Sequence, residues 1–133
     1  MIPQEFSGVA DLLVGLPQAL EEGRKRTAIS RYYYAAFLES RDRLKDARGW
    51  VFKKREAHEK VRRAFEWADP NEKQLRLAGR LLKHLKDLRE DADYDIDVAL
   101  DTTSLGEAKK MCAEIQGVVA TADLTKCRDP NNL

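Results

Sequence analysis

The sequence predicts an all-α protein that folds as an up-and-down antiparallel bundle of about five helices. Glycine and proline are sparse, with 7 and 4 residues among 133. No stretch alternates apolar and polar residues for long, and apolar residues recur at spacings of three and four, as in amphipathic helices. Each predicted helix carries one apolar face, and an antiparallel bundle buries these faces against one another.

The first two helices are expected at the start of the chain. The first is expected over residues 4–15, because Pro17 interrupts the helical pattern soon after it. The second is expected from about residue 17 to 48. Tyr34 and Leu38 lie on a different side of it from the main apolar face, so this helix is either central in the bundle or part of a subunit interface. That face holds Ile29, Tyr33, Ala36, Phe37, Ser40 and Leu44.

The third and fourth helices follow the connection GWVFKK. The third is expected over about 55–68, and one of its sides carries Ala57, Val61, Ala64, Phe65 and Ala68. The fourth has the clearest start, because Asp69 can cap it, Pro70 suits its first turn and Glu72 stands at its third position. It is expected to end near Ala92.

The fifth helix is expected to begin at Ser104, whose spacing to Glu107 predicts a capping box. Its predicted buried stripe consists of Leu105, Ala108, Met111, Cys112, Ile115, Val118, Val119 and Ala122. One helical domain is therefore expected over residues 1–124. The residues that follow, 125–133, are expected to form a flexible C-terminal tail.

Composition argues against several classes of protein. Charged residues make up 35% and hydrophobic residues 43%, as in globular rather than disordered or membrane proteins. No apolar run approaches the roughly 20 residues of a membrane span, and no signal peptide is recognisable, so we expect a cytoplasmic protein without membrane contact. Cys112 and Cys127 lack a CxxC spacing and nearby histidines. Inward Glu-x-x-His pairs are also missing, so no metal site and no cofactor are predicted.

Basic residues are concentrated in the middle of the chain, although the net charge is only +1. From Arg41 to Arg63 there are ten lysine and arginine residues against four acidic ones. From Ala64 onward there are ten against fourteen. A basic segment in the middle of the chain can attract phosphate groups. The alternative is that these long charged helices are simply solvated.

Arg89 is the one ionised side chain inside the apolar arc of the fourth helix. On a wheel of about 100° per residue it lies between Ala78 and Leu82. A guanidinium there must be paired or hydrated, because burying it alone costs several kcal/mol. Asp93, four residues on, can reach it, and arginine can also extend to the edge of the stripe. The alternative is a cleft between helices or subunits in which the planar guanidinium binds a phosphate.

Aromatic and histidine side chains give weaker indications. Three consecutive tyrosines, residues 32–34, could stack on bases, or they could pack in the core with their hydroxyls at its margin. His58 lies in a helix rich in charge, and His84 lies on the polar face of the fourth helix. Neither is near a candidate nucleophile or at a metal-ligand spacing. Both are interpreted as surface residues rather than catalysts.

Three segments together resemble the HEPN superfamily, and more closely its small stand-alone prokaryotic branch. In SRYYYAAF, the Arg-x-Tyr-Tyr-Ala-x-Phe pattern of that branch is matched by Arg31, Tyr33, Tyr34, Ala35 and Phe37. In AHEKVRRAF, residues 58–65 are similar to its His-x-x-Val/Ile…Phe segment. In LREDADYD, its Arg-x-x-Ala-Asp-Tyr pattern is matched by Arg89, Ala92, Asp93 and Tyr94. The resemblance covers roughly residues 8–122.

The resemblance implies a helical bundle that usually dimerises. Many HEPN proteins are metal-independent endoribonucleases of toxin–antitoxin pairs and of antiviral or stress systems. Others bind RNA or nucleotides without cleaving them, or partner a nucleotidyltransferase, which can nucleotidylate a tyrosine near the motif. The family motif places a histidine four to six residues after its arginine, at a dimer cleft. Arg89 matches that arginine, whereas Asp93 and Tyr94 stand where the histidine would be, and no histidine follows in the chain.

The sequence therefore leads to two functional hypotheses. The first is a HEPN-type homodimer of a toxin–antitoxin or antiviral defence module that binds RNA or cleaves it, with Arg89, Asp93 and Tyr94 as candidate catalytic residues. In this hypothesis Arg89 contacts phosphate and Tyr94 lines the same cleft. The second is a non-catalytic helical module that partners a nucleotidyltransferase, an antitoxin or another effector. There, the Arg89–Asp93 pair is part of the architecture.

Overall fold

The fold is all-helical in the computed structural model, which describes residues 3–15, 21–94 and 102–131. These ranges contain five α-helices and one short 3-10 helix, and no strand. The predicted all-α class with about five helices is therefore confirmed. The helices are α1 (Pro3–Gly15), α2 (Glu21–Arg48), α3 (Ala57–Glu66), α4 (Lys73–Tyr94) and α5 (Thr102–Thr121), and the 3-10 helix is Leu124–Lys126.

The centre of the bundle is α2, which contacts all four other helices. Its predicted apolar face is buried throughout, from Ile29 to Leu44. Tyr34 and Leu38, on a different side, are partly buried against the same core. The sequence left open whether this helix is central in the bundle or part of a subunit interface. The structure shows that it is central. This placement explains why α2 carries apolar residues on more than one side.

The direction of α1 follows from two hydrogen bonds to α2. The Tyr32 hydroxyl donates to the Asp11 carboxylate at 2.5 Å. At the other end, the Gln4 side-chain amide donates to Glu39 at 3.4 Å. The end of α1 thus lies beside the first half of α2, while its start lies further along α2, so the two helices are antiparallel.

The end of α4 lies beside the beginning of α2, and these two helices are also antiparallel. Arg26 donates from Nη1 to the backbone carbonyls of Asp91 and Ala92, at 3.0 and 3.1 Å. The last carbonyls of a helix have no partner within the helix, so a side-chain donor from a neighbouring helix stabilises its end. This arrangement places the C-terminal turn of α4 against the segment SRYYYAAF of α2.

The connection between α2 and α3 leads the chain back along α2. Gly49, with φ of +70°, ends α2, and its amide donates to the carbonyl of Lys45 at 2.8 Å. A left-handed residue directly after a helix is a common C-cap, and glycine adopts it without steric cost. Residues 50–56 then bring the start of α3 beside the middle of α2, where His58 stacks on Phe37.

The bounds of three helices differ from the predicted ones. α3 is shorter than 55–68, although all five residues of its predicted apolar side are buried. α4 begins at Lys73, because Asp69 accepts from the amides of Asn71 and Glu72 (3.1 and 2.8 Å) and so forms a turn ahead of the helix instead of its cap. α5 begins at Thr102, two residues before the predicted start.

Residues 125–131, which belong to the segment predicted as a flexible tail, pack against the domain in the structure. The amide of Arg128 donates to the carbonyl of Ala64 at 3.1 Å, and the amide of Asp69 donates to the carbonyl of Lys126 at 3.3 Å. Cys127 is buried. These backbone hydrogen bonds tie the segment to α3 and to the turn that follows it. Residues 132 and 133 lie outside the described part of the chain.

None of the helices in the described ranges is long and apolar enough to cross a membrane.

Candidate functional site

Arg89 lies on the buried side of α4, as the helical wheel predicts. Its neighbours on that side, Leu82, Leu85 and Ala92, are all buried. Among the described residues Arg89 is the one buried cation, with 10% of its side chain exposed. A charge in this position depends on polar or aromatic partners nearby, because the surrounding core cannot solvate it.

Tyr34 and Asp93 are among the polar groups that contact the guanidinium. Nη1 of Arg89 donates to the hydroxyl of Tyr34 and to Oδ2 of Asp93, at 3.3 Å each. Ser30 also donates to Oδ2 of Asp93, at 3.4 Å. The predicted ion pair therefore forms, since α4 continues past residue 92. Tyr94 ends α4, but its side chain lies outside the described part of the structure, so its predicted role in the cleft stays a prediction.

Two of the three consecutive tyrosines face the guanidinium. Cζ of Arg89 lies 5.2 Å from the ring centroid of Tyr33 and 5.4 Å from that of Tyr34. Both distances fall within the range of attractive cation–π contacts. Tyr32 points to α1 instead, where it donates to Asp11. Tyr32 and Tyr33 are buried core residues, which leaves the partly exposed Tyr34 as the ring of the three that a base could reach.

His58 belongs to the same cluster, which corrects its interpretation as a surface residue. The Nδ1 atom of His58 lies 2.5 Å from the hydroxyl of Tyr33. The imidazole stacks on Phe37, with ring centroids 4.0 Å apart and planes inclined by 13°. It also meets the edge of Tyr34. The ring is partly buried by these contacts, whereas His84 is exposed as predicted.

The cluster favours neutral forms of His58 and Tyr33. Burial lowers the pKa of His58, and the cations Arg89, Lys86 and Arg41 lower it further, while Glu90 acts in the opposite direction. Burial raises the pKa of the Tyr33 phenol, and the nearby Arg89 offsets part of that change. At neutral pH the site therefore contains a cationic guanidinium beside an uncharged imidazole.

The three segments that carry the HEPN resemblance meet in this cluster. SRYYYAAF contributes Tyr33, Tyr34 and Phe37 from α2, AHEKVRRAF contributes His58 from α3, and LREDADYD contributes Arg89 and Asp93 from α4. Sequence spacing could not bring His58 to Arg89, since 31 positions separate them along the chain. The signal in the sequence that pointed to His58 was its position in AHEKVRRAF, one of the three segments that resemble the HEPN superfamily.

A separate groove of about 390 Å³ lies between α4 and α5, away from the Arg89 cluster. Its apolar floor includes Leu81, Leu88 and Met111. Its polar rim consists of His84, Asp87, Asp91, Glu107, Lys110 and Glu114. In the described part of the chain, no group of three or more His, Cys, Asp or Glu side chains could hold a metal ion.

A comparison with known proteins finds one informative relative. The chain is 30% identical over 118 residues to Uncharacterized protein MJ0992 from Methanocaldococcus jannaschii, in an alignment that covers 79% of this chain and 67% of the archaeal protein. No family model matches the chain. No solved structure matches it either.

Proposed function

The chain belongs to the family of the archaeal protein MJ0992, and we propose that it is a HEPN-type, RNA-directed protein in which Arg89 binds a backbone phosphate. In this proposal the protein acts as a homodimer in a toxin–antitoxin or antiviral defence module. It binds RNA or cleaves it without a metal ion. Asp93 and Tyr94 complete the proposed site at the end of α4.

The observation that carries the proposal is the convergence of the three HEPN-like segments on one buried cation. Arg89 is enclosed by Tyr33 and Tyr34 and pairs with the carboxylate of Asp93 at 3.3 Å. A planar guanidinium forms paired hydrogen bonds with a phosphate as readily as with a carboxylate. Asp93 is 28% exposed at its side chain, so an incoming phosphate can replace it as the counter-ion without crossing the core.

Charge around the cluster also favours a polyanion. Lys86 and Arg41, like Arg89, lie close enough to His58 to lower its pKa, so three cations act on this imidazole. They belong to α4 and to the basic stretch that begins at Arg41. Phosphate contacts through such cations supply most of the sequence-independent affinity for nucleic acid, and this affinity decreases as salt is added.

Substitution of Arg89 tests the proposal. Purified wild-type protein, Arg89→Ala and Arg89→Lys are incubated with total cellular RNA, and binding and cleavage are measured at two salt concentrations. Arg80→Ala is the matched control, because Arg80 is an exposed arginine on the same helix. The proposal expects Arg89→Ala to lose RNA binding, and any cleavage, while Arg80→Ala retains them. Equal binding and cleavage by wild type and Arg89→Ala would contradict it.

A second candidate function is supported by the enclosure of Arg89. Only 10% of its side chain is exposed, and Nη1 already has two hydrogen-bond acceptors. These contacts favour a non-catalytic module in which the Arg89–Asp93 pair is architectural and the protein partners a nucleotidyltransferase or an antitoxin. This candidate expects Arg89→Ala to lower the thermal midpoint or the dimer fraction, measured by light scattering. A folded Arg89→Ala protein that specifically loses RNA cleavage would exclude it.

A further inference from the structure

We propose that the segment RGWVFKKR, residues 48–55, which joins α2 to α3, is a docking surface for an anionic phospholipid membrane. In this inference Trp50, Val51 and Phe52 enter the interfacial layer of the membrane, and the surrounding cations contact lipid phosphates. A protein that lies on a membrane surface in this way needs no helix that spans the bilayer. The inference revises the expectation of no membrane contact, which rested on the lack of a long apolar run.

The first support is a run of three apolar residues at the surface. Val51 is 74% exposed. Trp50 and Phe52, on either side of it, are half-buried against the core, with ring centroids 6.5 Å apart. Aromatic side chains that are partly embedded in the protein and partly exposed are typical of membrane interfaces. Transfer of the exposed valine from water to lipid is favourable in the same place.

The second support is the concentration of cations around this run. The segment contains four basic residues and no acidic one, and all four side chains are exposed: Arg48, Lys53, Lys54 and Arg55. The next carboxylate in the chain, that of Glu56, pairs with Lys60 at 3.0 Å. The whole chain has a net charge of only +1, so this segment is a local excess of positive charge. Such a cluster beside apolar residues is attracted to anionic headgroups.

The third support is a pocket of about 200 Å³ between this segment and α2. Apolar and charged side chains line it together: Trp50, Val51, Phe52, Arg41, Asp42 and Lys45. Arg41 donates from Nε and Nη2 to Oδ1 of Asp42, at 3.1 and 2.9 Å, and this pair takes up part of the charge of the guanidinium. Lys45 is exposed on the same side. A phospholipid headgroup also has an anionic phosphate next to an apolar part, so the two surfaces are complementary.

The same residues fit a membrane better than a single-stranded nucleic acid. Cζ of Arg48 lies 4.5 Å from the ring centroid of Trp50, so one face of the indole is already covered. A hydrogen bond to the carbonyl of Thr125 holds Arg48 there. The rings of Trp50 and Phe52 are inclined by 53°, so they do not form a parallel platform for successive bases. Val51 has no π-face, and its apolar side chain favours hydrocarbon instead.

The principal experiment measures binding to lipid vesicles by sedimentation. Vesicles of phosphatidylcholine alone are compared with vesicles in which about one third of the lipid is phosphatidylserine. We expect wild type to bind only the second kind, with a partition coefficient that decreases as salt is added. Val51→Asp should lower this coefficient by about tenfold or more, because an apolar contact is lost and a negative charge is added. Leu12→Asp is the matched control and should bind like wild type, because Leu12 is equally exposed, at 73%, on α1.

The contribution of charge is tested by neutralising lysines in adjacent pairs. Lys53→Gln/Lys54→Gln should lower the partition coefficient by about fivefold for each lysine. Lys109→Gln/Lys110→Gln is the control of equal net charge, on α5. Lys109 pairs with Asp11, which accepts a hydrogen bond from Tyr32, so this pair lies about 24 Å along α2 from Arg48. That separation exceeds the Debye length of about 10 Å, and the control should therefore bind nearly as wild type does.

A second experiment detects contact at Trp50 by fluorescence and leaves the segment unchanged. The chain has two tryptophans, Trp50 and Trp67. In Trp67→Phe, the emission of Trp50 should shift to shorter wavelength when phosphatidylserine vesicles are added, and brominated lipid should quench it. In Trp50→Phe, the emission of Trp67, which is 39% exposed at the end of α3, should stay unchanged.

The outcomes separate this inference from a nucleic-acid surface and from the proposed function at Arg89. Equal vesicle binding by wild type and Val51→Asp, or an unchanged Trp50 emission, would overturn the inference. So would a wild type that binds random RNA 20-mers through Lys53 and Lys54 but binds no vesicles. Arg89→Ala should bind vesicles like wild type, so its loss of RNA binding concerns the proposed function alone. If Val51→Asp does not fold, the emission of Trp50 in Trp67→Phe decides.

Discussion

Nη1 of Arg89 lies 3.3 Å from Oδ2 of Asp93, yet the two side chains differ almost threefold in exposure, at 10% and 28%. The guanidinium therefore depends on the carboxylate more than the carboxylate depends on the guanidinium. Water can solvate Asp93 when its partner is removed, whereas the core around Arg89 cannot replace the lost counter-ion.

Because of this asymmetry, we expect Asp93→Ala to destabilise the protein more than Arg89→Met. Asp93→Ala should lower the free energy of unfolding by about 1–3 kcal/mol, since it removes an acceptor and counter-ion from a buried charge. Arg89→Met replaces that charge with an apolar chain of similar length and should change stability by less than about 1 kcal/mol. Urea unfolding monitored by circular dichroism measures both. Equal losses of unfolding free energy, or a larger loss in Arg89→Met, would contradict the conclusion that Arg89 depends on Asp93 more than Asp93 depends on Arg89.

The lowered pKa of His58 predicts that stability falls at mildly acidic pH. The unfolded chain binds a proton at His58 below about pH 6.5, while the folded protein resists it. The stability associated with neutral His58 is thus complete above that pH and decreases as pH falls toward the folded pKa. Urea midpoints between pH 7.5 and 5.5 should decline less in His58→Gln than in wild type. His84→Gln, at an exposed position, should follow the wild-type profile.

The contact between α3 and α4 predicts opposite effects for two glycine substitutions. A Cβ added at Gly79 would lie 2.6 Å from the backbone nitrogen of Glu66, so the helices would have to move apart. Gly79→Ala should therefore destabilise the protein by about 1–3 kcal/mol. Gly117→Ala is the matched control, because nothing lies within 4 Å of its added Cβ in α5. It should stabilise by about 0.5–1 kcal/mol, as alanine favours helix, and thermal unfolding distinguishes the two.

Both cysteines should be unreactive in the folded protein. Cys112 and Cys127 are buried free thiols, and burial raises the pKa of each to about 12. Since the thiolate is the reactive form, a disulfide reagent at pH 8 should modify them only when the protein unfolds. The rate of modification should therefore rise sharply at the urea midpoint. Rapid reaction of either thiol in buffer would show that its surroundings open without global unfolding.

The packing of residues 125–131 predicts that this segment contributes to stability. Deletion of residues 127–133 removes the hydrogen bond from Arg128 to Ala64 and the buried side chain of Cys127. We expect a loss of roughly 1–3 kcal/mol in the free energy of unfolding. Deletion of residues 132 and 133 alone serves as the control. An unchanged midpoint in the longer deletion would support the flexible tail that the sequence predicts.

The sequence predicted the number of helices, their α-helical type and the faces that they bury. The apolar positions of α3 and the inner residues of α5 are buried where spacing placed them, including Val61, Phe65 and Ile115. The same periodicity located Arg89 inside the apolar arc and Asp93 within its reach. Such patterns depend on neighbours three and four residues apart, which a helix brings together whatever the rest of the chain does.

The start of α4 shows where local rules were insufficient. Asp69 has a side chain suited to an N-cap, but it forms a turn with Asn71 and Glu72, and Asp69 also donates its amide to Lys126 of the returning C-terminal segment. The free energy that an N-cap contributes is small. A competing turn that is stabilised by a segment distant in sequence can therefore displace a predicted cap.

By itself, the sequence determined an all-α bundle and placed Arg89 on the apolar face of the fourth helix. Only the tertiary structure decided that His58 would join that arginine. After Gly49 ends α2, the connection returns the chain to the middle of that helix, and α3 begins where Tyr33 and Phe37 can hold the imidazole. Periodicity fixes which residues share a face of one helix, whereas the path of a connection fixes which faces meet. The site at Arg89 depends on both.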